Sequence, residues 1–196
     1  MSATLFDTDW EAMFAPYDQP TYEAVLDQLG ASDIVLDIGA GDLRLSRQMA
    51  RIARKVYAVE INAGVLEHAY LSAEPLPANL IPICADARAL DFPSDVTTGV
   101  LLMRHCTCFR LYREKLHLAG AKRLITNVRW HMDVEVVDLG AQGRSFAEIG
   151  MGWYACSCGR TGFKEGPAEH WTLEMDHVVN EVSRCPQCSE NKMSFS

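Results

Sequence analysis

The chain has 196 residues, a formal net charge of −8, 48% hydrophobic and 22% charged residues, a balance ordinary for a globular protein and too apolar for a disordered one. No apolar run approaches the 18 or so residues of a membrane span, and the first residues lack the basic and apolar regions of a secretory signal. The seven cysteines are therefore expected as reduced thiols or metal ligands in a cytoplasmic protein with one substantial core and a small accessory module.

Residues 1–18 read as irregular, with Trp10, Phe14 and Tyr17 as packing anchors. Residues 20–29 read as a helix with Tyr22, Val25, Leu26 and Leu29 on one face, ended by Gly30. The stretch Ile34-Val-Leu-Asp-Ile-Gly-Ala-Gly-Asp42 is the strongest local signal. An apolar run of parallel-strand type enters a turn where Gly39 and Gly41 let the backbone approach a ligand. The helix that follows places Leu45, Met49 and Ile52 inward and Arg44, Arg47, Arg51 and Arg54 outward.

A second strand, residues 55–60, ends in Glu60, 23 residues after Asp37. That is where open α/β sheets place an acid for ribose hydroxyls. A helix over 62–71 and a Pro-rich loop lead to a third strand, Leu80-Ile-Pro-Ile-Cys84, followed by Ala85-Asp86-Ala87. Three strand-to-acid transitions thus recur at regular spacing.

On these stretches (VLDIGAGD, VYAVEI and ICADA) the chain resembles the class I S-adenosylmethionine-dependent methyltransferases, and among them the ribosomal RNA adenine dimethyltransferases most. The resemblance covers residues 20–130 and implies an α/β fold with a doubly wound, mostly parallel Rossmann-like sheet. It implies Asp37, Gly39 and Gly41 around the amino-acid end of the cofactor, Glu60 at the ribose, and Asp86 with Ala87 at the adenine. The third glycine of the family pattern is Leu43 here, so helix and strand are expected to pack slightly further apart.

The fourth strand, residues 99–103, ends at Arg104-His105-Cys106-Thr-Cys108, the place that the resemblance puts beside the reactive methyl. His105 is the candidate base, since imidazole titrates near neutrality, and Arg104 the candidate for orienting the acceptor. The alternative for His105 is a hydrogen bond to a loop carbonyl, and for Cys106 and Cys108 plain burial. The Asn/Asp-Pro-Pro-Tyr motif of enzymes that methylate the amines of adenine or cytosine is missing. A fifth strand over 123–130 brings Asn127, Arg129 and Trp130 to the same rim. Between Arg104 and Arg129 seven basic residues face one acid, Glu114. This segment reads as an anion-attracting patch or, more simply, as a solvated helix face.

Near the C-terminus, Cys156-Ser-Cys158 and Cys185-Pro-Gln-Cys188 stand 26 residues apart. Four thiolates satisfy a tetrahedral zinc ion and leave no open position, so the site reads as structural Zn2+. Redox pairs or a disulfide are the alternatives. Residues 162–163 and 171–175 read as strand fragments of this element, which is expected to extend the main sheet.

The expected organisation is a cofactor-binding methyltransferase domain over 1–149 and a zinc-bound β element over 150–196. The expected activity is methyl transfer from S-adenosylmethionine to an unidentified acceptor (RNA, protein or small molecule), with an RNA or protein partner and no membrane association. The alternative is a degenerate fold that docks a protein through its zinc element.

Overall fold

A computed structural model describes residues 16–71, 75–104 and 106–190. The main sheet has six strands: β1 (Ile34–Ile38), β2 (Lys55–Glu60), β3 (Leu80–Cys84), β4 (Thr98–Leu101), β5 (Arg123–Thr126) and β6 (Glu135–Asp138). Their order is β3-β2-β1-β4-β5-β6. The first five run parallel, and β6 is antiparallel to β5. All five residues of β1 are buried, as expected for a central strand covered on both faces.

Helices α1 (Gln19–Leu26), α2 (Arg44–Met49) and α3 (Ala63–Tyr70) cover one face through Tyr22, Val25, Leu45, Met49 and Leu66. Helix α4 (Phe109–Leu118) covers the other through Phe109, Tyr112 and Leu116. The sheet is therefore doubly wound. Asp18 caps α1 and Asn62 caps α3 with their side chains, each satisfying N–H groups of the first turn that have no partner within the helix.

A second sheet follows, with strands β7 (Arg144–Ser145), β8 (Gly152–Cys156), β9 (Thr161–Lys164) and β10 (Val179–Arg184) in the order β7-β10-β8-β9. It does not extend the main sheet. It has its own small core of Ile149, Tyr154, Cys156, Val182 and Cys185. Residues 171–175 are not a strand, since Leu173–His177 turns as a 3₁₀ helix. The fifth strand stops at Thr126, and Trp130 lies in a second 3₁₀ turn. Ile52, expected inward, is exposed because α2 ends at Met49 and the inward positions pass to Ala50 and Ala53. Trp10 and Phe14, expected as packing anchors, lie outside the described residues, while Tyr17 packs against the core.

Arg129 joins the two sheets. Its fully buried guanidinium donates to Glu135 on β6 (2.9 and 2.8 Å) and Glu181 on β10 (3.0 and 2.6 Å), and to the Cys156 carbonyl at 3.4 Å. Burial alone would favour loss of its proton, but the two carboxylates outweigh that and raise its pKa. The seven basic residues between Arg104 and Arg129 form no continuous free patch. Arg110 pairs with Glu114, Arg123 with Asp33, Lys115 donates to backbone carbonyls, and Arg129 is buried.

Arg129→Met removes the only cation between Glu135 and Glu181 among these hydrogen bonds and leaves the half-buried Glu135 carboxylate without its charged partner. The expected loss is about 2 kcal/mol of stability, since the partly solvated carboxylates lose their shared donor, read as a lower denaturation midpoint. A loss below about 0.5 kcal/mol would show that the sheets are held by packing alone.

Candidate functional site

In open α/β sheets ligands bind where the strand order reverses, at the carboxyl ends of the strands. Here the reversal lies between β1 and β4. The loop after β1 and the loop after β4 face each other across a cavity of about 760 Å³, within the usual range for small-molecule sites. Asp37, Ile38, Gly39 and Ala40 form one wall, Glu60 and Ile61 the next, and Ala85, Asp86, Ala87 and Arg88 the far end. Tyr17, Tyr22, Met103, Arg104, Thr107, Cys108 and Tyr112 close the opposite side.

The loop after β1 is built by backbone geometry. Gly39 and Gly41 have φ of +76° and +55°, and Leu43 has +66° while fully buried. A side chain with a Cβ is strained there by about 1 kcal/mol, and Leu43 offsets this by filling the core under α2. The amides of Gly39 and Ala40 both donate to the Val59 carbonyl, at 2.9 and 3.0 Å. Glu60 then ties two loops together. One carboxylate oxygen accepts from Gly41 N at 2.9 Å, the other from Asn62 N at 2.8 Å. Each oxygen retains capacity for a further donor.

Asp37 is buried and accepts from the Ser46 hydroxyl. Desolvation pushes its pKa up to about 6, and the nearby Glu60 charge adds to the rise. At the far end Asp86 is held by Arg88, whose Nε and Nη2 donate to it at 2.9 and 2.7 Å. This pairing lowers the Asp86 pKa. Arg104 stacks on the Tyr17 ring at 5.1 Å, and its amide donates to the Tyr17 hydroxyl at 3.3 Å.

Five of the expected cofactor contacts, Asp37, Gly39, Glu60, Asp86 and Ala87, share this cavity wall. Gly41 sits behind it, holding Glu60. Arg104 lines the opposite wall, and His105 lies outside the described residues. Sequence reasoning missed Tyr22, Arg88 and Tyr112 and took Tyr17 only as packing. The signal for Tyr17 was its place directly before the helix-capping Asp18. Asn127 and Trp130 are not in the wall. The Trp130 ring instead packs on Trp153 at 5.5 Å.

The four C-terminal cysteines also come together. Sulfur separations are 3.6 Å for Cys156–Cys188 and Cys185–Cys188, and 3.9 Å for Cys158–Cys185. A tetrahedron with Zn–S bonds of about 2.3 Å has edges of about 3.8 Å, whereas a disulfide would need about 2.05 Å. The donor set therefore fits a tetrahedral metal. Burial raises the pKa of Cys156 and Cys158. For Cys188 burial acts the same way, but a backbone hydrogen bond from Cys185 and the neighbouring thiols bring it down to about 7.

Residues 35–127, 93 of the 196, match a family described as a methyltransferase domain. No curated protein matches the chain. Among solved structures, precorrin 8w decarboxylase from Methanobacterium thermoautotrophicum is similar at 18% identity and a TM-score of 0.50, covering 59% of this chain and 66% of that one. The 23S rRNA methyltransferase ErmE is similar at 19% identity and a TM-score of 0.50, covering 56% and 46%. The chain thus spans about half to two thirds of the length of these structures, and the likeness shows the fold. No helix among the described residues is long and apolar enough to cross a membrane.

Because its pKa is raised in the fold, the Asp37 carboxylate costs stability above about pH 6, and that cost fades as pH falls toward the unfolded value of 3.8. Asp37→Asn is expected to raise the melting temperature by a few degrees at pH 7.5 and by about a third as much at pH 4.5. Equal shifts at both pH values would contradict the assignment.

Proposed function

We propose that the chain is an S-adenosylmethionine-dependent methyltransferase and that its four-cysteine cluster holds a structural zinc ion. The observation that carries the first part is the convergence of Asp37, Gly39, Glu60, Asp86 and Ala87 on one cavity at the strand-order reversal. The match of residues 35–127 to a methyltransferase domain supports it. Sulfur spacings close to tetrahedral edges support the second part.

S-adenosylmethionine, when bound, supplies an electrophilic methyl on a sulfonium centre. The residues around it have separable tasks. Asp37, ionised above about pH 6, offers a buried negative charge to the cofactor's cationic amino-acid end, with the turn at Gly39 beside it. Glu60 holds the glycine loop in shape while facing the ribose, and Asp86 with Ala87 meets the adenine. Methyl transfer is an in-line displacement, so alignment of the acceptor dominates. Arg104 is assigned to orient the acceptor and His105 to take its proton. The acceptor is RNA, protein or a small molecule that reaches the wall formed by Tyr17, Tyr22, Met103 and Tyr112.

In this reading the residues up to β6 bind the cofactor, and the second sheet, from β7 (Arg144–Ser145) on and with 150–196 as its bulk, forms the metal-bound β element. With all four metal positions taken by sulfur the ion has no open site for catalysis. Its role is to hold a module whose own core cluster has five buried residues, too few to stand alone. Thiols spaced for a metal rather than for a disulfide fit a reducing cytoplasm.

Titration calorimetry with S-adenosylhomocysteine on the zinc-replete protein is expected to show one site per chain. Glu60→Ala should weaken it at least about tenfold, the loss of charge-assisted hydrogen bonds, while Glu60→Gln should recover part of the affinity. No heat from the wild-type protein at high micromolar ligand would contradict the assignment.

A further inference from the structure

Helix α4 touches both sites, and at different turns. Its cap residue Cys108 and its buried Tyr112 are walls of the cavity. Its first residue, Phe109, is fully buried under the cysteine knuckle. Gly159, next to Cys158, has φ +97°, and a Cβ there would stand 2.8 Å from the Phe109 Cβ. The Arg129 guanidinium lies 5.4 Å from the Phe109 ring centroid and donates to the Cys156 carbonyl. The knuckle therefore presses on Phe109 with no intervening side chain.

Fewer than two turns further along the helix, Lys115 reaches the other way. Its Nζ donates to the carbonyls of Ala87 at 2.8 Å and Arg88 at 2.9 Å, and rests over the Phe92 ring at 4.6 Å. These carbonyls belong to the turn that presents Asp86 and Ala87 to the cavity. An ammonium bonded to two backbone carbonyls fixes that turn, since its charge strengthens each bond relative to a neutral donor. One helix is thus clamped at its start by the cysteine knuckle and grips one end of the cavity fewer than two turns later.

We propose that α4 couples the cysteine cluster to the cofactor pocket, so that metal and cofactor bind cooperatively, and that Lys115 is the positioning residue which transmits the coupling. The inference rests on the reading of a cofactor in the cavity and a metal on the four thiols. The two-state element is the Ala85–Arg88 turn, held or released by Lys115. With the knuckle ligated, Phe109 is fixed and Lys115 stays in reach of both carbonyls. With the knuckle open, α4 loses its clamp and the turn its grip. Thermodynamic linkage requires the effect to be mutual: bound cofactor must tighten the metal by the factor with which the metal tightens the cofactor.

The test is equilibrium zinc competition against a chelator of known affinity, on the full chain, with and without S-adenosylhomocysteine at a concentration shown by calorimetry to saturate each sample. In the wild-type protein the ligand is expected to raise zinc affinity at least about fivefold, the lower end of typical allosteric couplings. Lys115→Met keeps an unbranched side chain of similar length and removes the three N–H donors. It should leave zinc affinity without ligand unchanged and abolish the increase. Equal zinc affinity with and without bound ligand in the wild-type protein overturns the coupling. An undiminished increase in Lys115→Met overturns the role of Lys115. If calorimetry detects no ligand binding, or the protein holds no zinc, the underlying reading fails and the coupling with it.

Discussion

A guanidinium with no exposed surface, held by carboxylates from two different sheets, fixes how this molecule is assembled. Arg129 leaves the main sheet just past β5 and ends among Glu135, Glu181 and the Cys156 carbonyl. A buried charge of this kind stabilises little by itself compared with an apolar replacement, but leaving it half-paired is costly. Its effect is therefore on geometry: the second sheet can dock only where both acids reach the same cation. That docking sets the cysteine knuckle on Phe109, and through α4 on the wall of the cavity.

The cavity itself follows from strand order. Placing β4 beside β1 opens a crevice that neither neighbouring loop can fill, and the residues proposed to hold the ligand there carry a stability cost. Asp37 is buried with a carboxylate pushed up to about 6, and Leu43 takes a left-handed backbone that suits glycine. Both are ill-suited to stability alone. At the amino ends of the same strands the polar contacts are purely structural. Asp33 there accepts from Gly30, Thr98 and Arg123, and it does not line the cavity.

The main sheet was legible because its first three strands carry apolar runs that lead into glycine or an acid (Gly39, Glu60, Asp86), a local signal. The cysteine spacing was legible for the same reason. The second sheet was less so. Its strands β7 and β8 have little periodicity, and β10 pairs in parallel with both, which only the long connection from β9 permits. Trp171 and the residues after it carry strand-type side chains but stay exposed, so no partner strand overrides the local turn. Leu43 stood out as a departure from the glycine pattern, and the positive φ explains why glycine is usual there. The roles of Tyr17, Arg88 and Lys115 depend on contacts between segments far apart in the chain, which no local pattern encodes.

The central claim is that one chain carries a cofactor in the β1–β4 crevice and a metal in the cysteine cluster. Native mass spectrometry of the purified protein, with and without S-adenosylhomocysteine, addresses both in one spectrum. The account predicts a mass increment of one zinc ion per chain that is lost in Cys185→Ser, and a further increment of one S-adenosylhomocysteine in the wild-type protein. A spectrum with zinc but no cofactor adduct at high micromolar ligand would contradict the methyltransferase assignment, and one without zinc would contradict the metal site.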